Sequence, residues 1–158
     1  MSERILVPLD GSKLGETALH YIEKMVDNMA PGQPVEIILL KVIQTLTREG
    51  RDMAVGSIIP YTEAEMAPIK KQAMDYLEKS GATLREKGAV VKYVVMPVER
   101  DVSAADGIIK AEDEVNADLV TMSTHGRHGI TRWAFGSVTD KVLRAGKAPV
   151  LMVRAKGK

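Results

Sequence analysis

The fold is indicated most clearly by residues 119–145, LVTMSTHGRHGITRWAFGSVTDKVLRA. This stretch begins with a short apolar run and passes through a loop that contains Gly126, Gly129 and Gly136. It ends in a segment whose apolar residues have helical spacing. A buried strand, a glycine-bearing turn and a helix in this order predict one unit of a parallel α/β sheet.

The same alternation of apolar runs and amphipathic segments extends over the rest of the chain. It predicts strands at residues 4–9, 35–43, 90–96, 119–123 and 150–153, and helices at residues 14–29, 62–87, 102–115 and 137–145. We therefore expect an α/β fold, an open parallel five-stranded sheet with helices on both faces. We expect one domain over residues 1–158, with a long loop at 45–61 and a basic tail at 154–158.

The composition excludes several classes of function. The 158 residues are 45% hydrophobic and 27% charged, which is typical of a globular domain. The net charge of +1 offers no strong field for nucleic acid or an anionic membrane, and 4% aromatic residues argue against a base-stacking platform. The absence of cysteine excludes disulfides and thiolate metal sites. No apolar run approaches the ~18 residues that span a bilayer, so we expect a cytoplasmic protein.

Two loops follow predicted strand ends, where open α/β sheets bind ligands. One covers residues 8–12 and the other residues 122–139. In the second loop, glycines allow close approach of a ligand, and Gly136 directly precedes a helix whose N-terminal N–H groups suit phosphate oxygens. Ser137 and Thr139 add hydroxyl donors, and the loop also carries cationic or potentially cationic side chains at Arg127, His128 and Arg132. This combination suits a polyphosphate.

Simpler interpretations stay open for the same residues. The glycines can serve only to make a turn, Ser137 can be an ordinary N-cap, and Asp10 can cap the helix that follows it. Asp101 or Ser103 is a candidate cap for the helix at residues 102–115. His125 has no evident nucleophile partner, so we favour a structural role for it. No catalytic constellation is evident, so these residues do not predict an enzyme.

Together these residues resemble the ATP-binding branch of the universal stress protein family. The family pattern G-x2-G-x9-G-[ST] aligns as Ser123-x2-Gly126-x9-Gly136-Ser137, and the segments ILVPLDGS, LLKV and APVLMV at residues 5–12, 39–42 and 148–153 match as well. The resemblance covers the whole chain and implies a Rossmann-like, adenine-nucleotide alpha-hydrolase-like sheet with strand order 3-2-1-4-5. Ser123 departs from the family glycine: it keeps the backbone N–H and adds a hydroxyl, which bears on affinity more than on function.

The resemblance also implies a ligand and an assembly. Asp10 and Val42 would contact the nucleoside, Met122 and Ser123 would flank the ribose and phosphates, and Mg²⁺ would bridge the phosphates. The predicted ligands are Mg²⁺ and ATP, with ADP or AMP as alternatives to ATP. The predicted binding residues are Pro8, Asp10, Val42, Met122, Ser123, Gly126, Arg127, Gly136, Ser137, Val138 and Thr139. The strand at residues 150–153 would pair with the same strand of a second copy to form a homodimer. An unknown regulatory protein would bind this homodimer. A slow ATP hydrolase or phosphotransferase, and an interaction dimer that no longer uses nucleotide, are the alternatives.

Overall fold

The computed structural model describes residues 2–49, 58–124 and 136–155. In chain order the elements are β1 (Glu3–Pro8), α1 (Glu16–Asp27), β2 (Val35–Gln44), β3 (Thr47–Glu49), β4 (Ile58–Pro60), α2 (Glu63–Ser80), α3 (Ala82–Glu86), β5 (Val90–Val98), α4 (Ala104–Val115), β6 (Leu119–Thr124), α5 (Ser137–Ala145) and β7 (Val150–Arg154).

The main sheet has five strands in the order β5-β2-β1-β6-β7, and each neighbouring pair is parallel. Numbered by their order within this sheet, the strands run 3-2-1-4-5, which confirms the predicted order. The chain first winds outward from β1 to β5 and then returns to β6 on the other side of β1. The direction of winding therefore reverses between β1 and β6, and such a switch point leaves a crevice at the carboxyl ends of the strands.

The sheet buries a separate apolar cluster on each face. On one face, Ile37 and Leu39 of β2 pack with Ile22 of α1 and Leu77 of α2. On the other face, strand side chains pack against Ile108 of α4 and Val142 of α5; these strand residues are Leu6, Ile38, Leu40, Val120 and Met122. The strands read as continuous apolar runs because both faces are covered.

Capping residues mark where two of the helices begin. Thr62 and Ser103 each form a capping box, with Glu65 and Asp106 respectively, and so begin α2 and α4. Ser103, and not Asp101, is therefore the cap of α4. Within the described ranges, no helix has both the length and the apolar character needed to cross a membrane.

The prediction of one helix over residues 62–87 is wrong, because Gly81 separates α2 from α3. A Cβ at Gly81 would lie 2.8 Å from the Tyr93 hydroxyl oxygen and 3.2 Å from Cδ1 of Leu39. A side chain at position 81 would therefore require the Tyr93 ring or Leu39 to shift. The break thus reflects a tertiary contact together with the low helix propensity of glycine.

The prediction of a structureless loop over residues 45–61 is wrong at both of its ends. Strands β3 and β4 form a two-stranded antiparallel ribbon in which Thr47 lies opposite Pro60, and Tyr61 donates its N–H to the carbonyl of Leu46 at 2.8 Å. Strands of three residues are too short to show a period in the sequence. At the chain end, Arg154 belongs to β7 and not to a tail, and residues 156–158 lie outside the described part of the chain.

Candidate functional site

A cleft of about 380 Å³ lies at the carboxyl ends of the strands, at the switch point between β1 and β6. Its volume falls in the range of roughly 300–1,000 Å³ that is usual for small-molecule sites. The lining residues come from the ends of β1, β2 and β6, from the turn before α1, and from the first turns of α4 and α5. Elements that are far apart in sequence thus meet at one place.

Every predicted site residue that the structure describes lines this cleft. These residues are Pro8, Asp10, Val42, Met122, Ser123, Gly136, Ser137, Val138 and Thr139. The predicted residues Gly126 and Arg127 lie outside the described residues, as do His125, His128 and Arg132. The structure therefore brings together the strand-end residues and the helix start that the sequence had placed in separate loops.

The cleft also has lining residues that the sequence analysis did not select. They are Leu9, Ser12, Leu14, Gly15, Leu40, Ala104, Ile108 and Thr124. Leu40 could have been found, because residues two apart on a strand share a face and Val42 was already predicted. Ala104 and Ile108 lie one helical turn apart on α4, but no motif distinguishes that face from an ordinary core face.

Asp10 is held in the turn that follows β1. Its Oδ1 accepts hydrogen bonds from the Ser12 hydroxyl at 2.5 Å and from the Ser12 backbone N–H at 2.9 Å. Asp10 does not cap α1: the N-cap of that helix is Gly15. Burial tends to raise the pKa of Asp10, but the Ser12 hydrogen bonds and the charge of Lys41 hold that pKa below its usual 3.8. Asp10 is thus an anion at neutral pH that can accept further hydrogen bonds through Oδ2.

The first turn of α5 forms the opposite wall of the cleft. Its N-cap is Gly136, which has no side chain to cap the helix, and Ser137 is the first helical residue. Ser137 is therefore not the N-cap. Thr139, two residues after Ser137, is buried, with 6% of its surface exposed. A helix start without a side-chain cap leaves N–H groups and a partial positive charge available to an anion.

An ion pair joins α5 to α4 beside the cleft. Lys141 Nζ lies 2.8 Å from Oδ2 of Asp106 and 3.4 Å from the Ser103 hydroxyl. Asp106 thereby serves both the capping box of α4 and the attachment of α5, and the hydrogen bond from Lys141 lowers the pKa of Asp106 below its usual value. This exposed ion pair links the N-terminal halves of the two helices.

Two other observations limit the chemistry of the described residues. Among them, no group of three or more His, Asp or Glu side chains is arranged to hold a metal ion by itself. A second cavity of about 370 Å³ lies near the amino ends of β2 and β5, lined in part by residues 29–35 and 87–90. It shares no lining residue with the cleft. The convergence of a carboxylate, hydroxyls and a helix start distinguishes the cleft.

Comparison with known proteins places this geometry in context. The sequence model of the universal stress protein family matches residues 1–154. Universal stress protein MJ0577 of Methanocaldococcus jannaschii is 26% identical over 168 aligned positions, which cover 99% of this chain and 97% of that protein. A solved structure of MJ0577 matches this chain with a TM-score of 0.69, and the match covers 100% of this chain and 99% of the MJ0577 chain.

Two more distant structures share the fold and were solved with nucleotides. A universal stress protein in complex with cAMP has 18% identity and a TM-score of 0.64, with 98% of each chain covered. A universal stress protein family protein of Arabidopsis thaliana with AMP bound has 16% identity and a TM-score of 0.62, with 98% of this chain and 93% of that chain covered.

Proposed function

The chain belongs to the universal stress protein family, and we propose that it binds ATP with Mg²⁺ in the cleft between β1 and β6. In this proposal it is a cytoplasmic, homodimeric regulatory module whose nucleotide occupancy is read by a partner protein. The observation that carries the proposal is the convergence, in one cleft, of an apolar slot, an anionic carboxylate and a helix start without a side-chain cap. The nucleotides bound by the cAMP and AMP relatives support it.

The end of β2 supplies a place for the adenine base. Strand β1 pairs with β2 only as far as Pro8 opposite Leu40, and the last bond runs from the Leu9 N–H to the Leu40 carbonyl at 2.8 Å. Backbone groups two residues apart on a strand point to the same side, so those of Val42 face the space beyond the end of β1. One N–H donor and one C=O acceptor match the adenine edge, while Leu40, Ile108 and Met122 offer apolar contact to the ring.

The other two parts of the nucleotide fit the polar walls of the cleft. The Asp10 carboxylate is suited to accept hydrogen bonds from ribose hydroxyls. The first-turn N–H groups of α5 and the hydroxyls of Ser137 and Thr139 are suited to phosphate oxygens. Mg²⁺ would be held mainly through the phosphates, where it neutralises charge. Gly126 and Arg127 remain predicted phosphate contacts.

Isothermal titration with Mg-ATP tests the binding proposal. Among the described residues, a Cβ at Gly136 would meet no heavy atom within 4 Å, so a side chain fits there. We expect the wild type to bind, and Gly136→Asp to bind at least roughly tenfold more weakly than Gly136→Asn, since only Asp places a negative charge beside the phosphates. Folded wild-type protein that releases no heat at millimolar Mg-ATP contradicts the proposal. Phosphate release that disappears in Gly136→Asp would instead favour the hydrolase alternative.

The proposed homodimer uses the edge strand β7. Among the described strands, β7 pairs only with β6, and its apolar residues at positions 150–153 are half-buried. A half-exposed apolar edge favours pairing with another strand, here that of a second copy. Light scattering should give a dimer mass for the wild type and a monomer mass for Leu151→Lys. Leu143→Lys, the same change at an exposed position of α5, is the matched control and should stay dimeric. A monomeric wild type contradicts this part of the proposal.

A further inference from the structure

Ser123 makes a contact that its place in the glycine-loop pattern does not indicate. Its Oγ accepts a hydrogen bond from the Ala18 N–H at 2.8 Å and donates one to the Gly15 carbonyl at 3.1 Å. Both partners belong to the start of α1, 105 and 108 residues earlier in the chain. The hydroxyl of β6 therefore caps a helix that lies on a different segment.

The alternation of side chains along β6 explains this direction. Val120 and Met122 pack in the cluster that faces α4 and α5. Ser123 follows Met122, so its side chain belongs to the opposite face of the sheet, where α1 lies. Ser123 lines the cleft, and its hydroxyl is bonded to the start of α1. A glycine at this position would keep the backbone and lose both hydrogen bonds.

The contact continues from α1 to Asp10. The Gly15 N–H donates to the Ser12 Oγ at 3.0 Å, and that hydroxyl donates to Oδ1 of Asp10 at 2.5 Å. The packing is tight, since a Cβ at Gly15 would lie 2.9 Å from the same Asp10 oxygen. A connected series of hydrogen bonds thus runs from Ser123 through Gly15 and Ser12 to Asp10.

We propose that Ser123 is a positioning residue that holds the Asp10 turn in its ligand-binding geometry through the start of α1. The inference rests on the proposed nucleotide site and adds to it. The Asp10 turn, which would meet the ribose, is attached to β6 before any ligand binds, and β6 leads into the loop of residues 122–139. A site that is already ordered loses less conformational entropy on binding, so the attachment raises affinity. Ser123 acts through Asp10 and needs no contact with the nucleotide by its hydroxyl.

A double-mutant cycle for Mg-ATP affinity tests this role. Ser123→Ala should weaken binding roughly two- to tenfold, the effect of one ordinary hydrogen bond. In the Asp10→Ala background the same change should have little further effect, because that variant lacks both the ribose contact and the acceptor of the Ser12 hydrogen bonds. Ser80→Ala is the matched control, since it removes a hydroxyl that donates to the Tyr76 carbonyl within α2, and it should leave affinity unchanged. An unchanged affinity for Ser123→Ala, or an equal loss in both backgrounds, overturns the inference.

Amide hydrogen exchange on the ligand-free protein gives a second test that does not depend on ATP. Ser123→Ala should reduce protection at the Ser12 and Gly15 amides, not only at Ala18, which loses its acceptor directly. Faster exchange confined to Ala18 would show an isolated helix cap and overturn the inference. Wild-type protein that binds no nucleotide would count against the proposed function alone, because the exchange data would still decide whether Ser123 orders the Asp10 turn.

Discussion

Replacing Glu112 by alanine is predicted to lower the free energy of unfolding by about 2–3 kcal/mol. Glu112 lies on α4 and is only 3% exposed. Its Oε1 accepts hydrogen bonds from the backbone N–H groups of Lys147 at 2.5 Å and Ala148 at 2.6 Å. These two amides lie in the turn between α5 and β7. The carboxylate therefore attaches the turn before the last strand to a helix on the same face of the sheet.

The magnitude follows from the two hydrogen bonds and what offsets them. A hydrogen bond to a charged group contributes about 1.5–3 kcal/mol, so two would contribute about 3–6 kcal/mol. Part of this is offset because alanine also removes the cost of burying a charge. A further part is offset because Lys147 is exposed, so water can reach its amide after the change. Glu112→Gln retains an oxygen acceptor without the charge, and we expect it to cost about 1 kcal/mol.

Urea unfolding followed by circular dichroism at pH 7 measures both variants. A lower midpoint with an unchanged slope identifies a loss of stability, and the loss should be larger for alanine than for glutamine. Gly146→Ala should also destabilise the protein, since its Cβ would lie 2.6 Å from Oε2 of Glu112 and 2.7 Å from the Val142 carbonyl oxygen. Alanine and glutamine variants that both stay within about 0.5 kcal/mol of the wild type would refute the reasoning.

Three further changes test other parts of the account. Gly107→Ala would place a Cβ 2.9 Å from Cγ1 of Val42. The overpacking costs about 1–3 kcal/mol, which exceeds the gain in helix propensity of about 1 kcal/mol. The melting temperature should therefore fall, and a rise would contradict the close packing of Gly107 against Val42. Because the pKa of Asp10 is held below 3.8, its carboxylate stabilises the fold above that pH and loses this effect as the pH falls through the lower folded value. The difference in unfolding free energy between Asp10→Asn and the wild type should therefore decrease as the pH falls below this pKa. A difference that increases there would contradict the lowered pKa. Thr62→Ala removes the α2 capping box and should cost about 1 kcal/mol in urea unfolding, with no change if the cap is unimportant.

The elements that the sequence predicts well are those with strong local signals. The strands of the main sheet have apolar residues on both faces because both faces are covered. The bounds of α5, residues 137–145, were predicted correctly because Gly136 and Gly146 flank it. The cleft residues at the ends of β1, β2 and β6 were selected because ligands bind at the carboxyl ends of parallel strands.

The features that were missed depend on contacts between distant residues. The break at Gly81 depends on Tyr93, and the ribbon of β3 and β4 has strands too short to show a period. The role of the Ser123 hydroxyl depends on α1, 105 residues away for the bond to Ala18. The family pattern places Ser123 in the loop of residues 122–139. Only the alternation of side chains in the folded sheet shows on which face of the sheet its hydroxyl lies.

Amide NMR spectra recorded during a titration with Mg-ATP test the central claim most directly, because they report both binding and its place. Binding in the cleft predicts that the signals of Asp10, Val42 and residues 137–139 shift with increasing nucleotide, while signals of residues 32–33 and 88–90, at the opposite end of the sheet, do not. No shifts at millimolar Mg-ATP, or shifts confined to the opposite end, would contradict it.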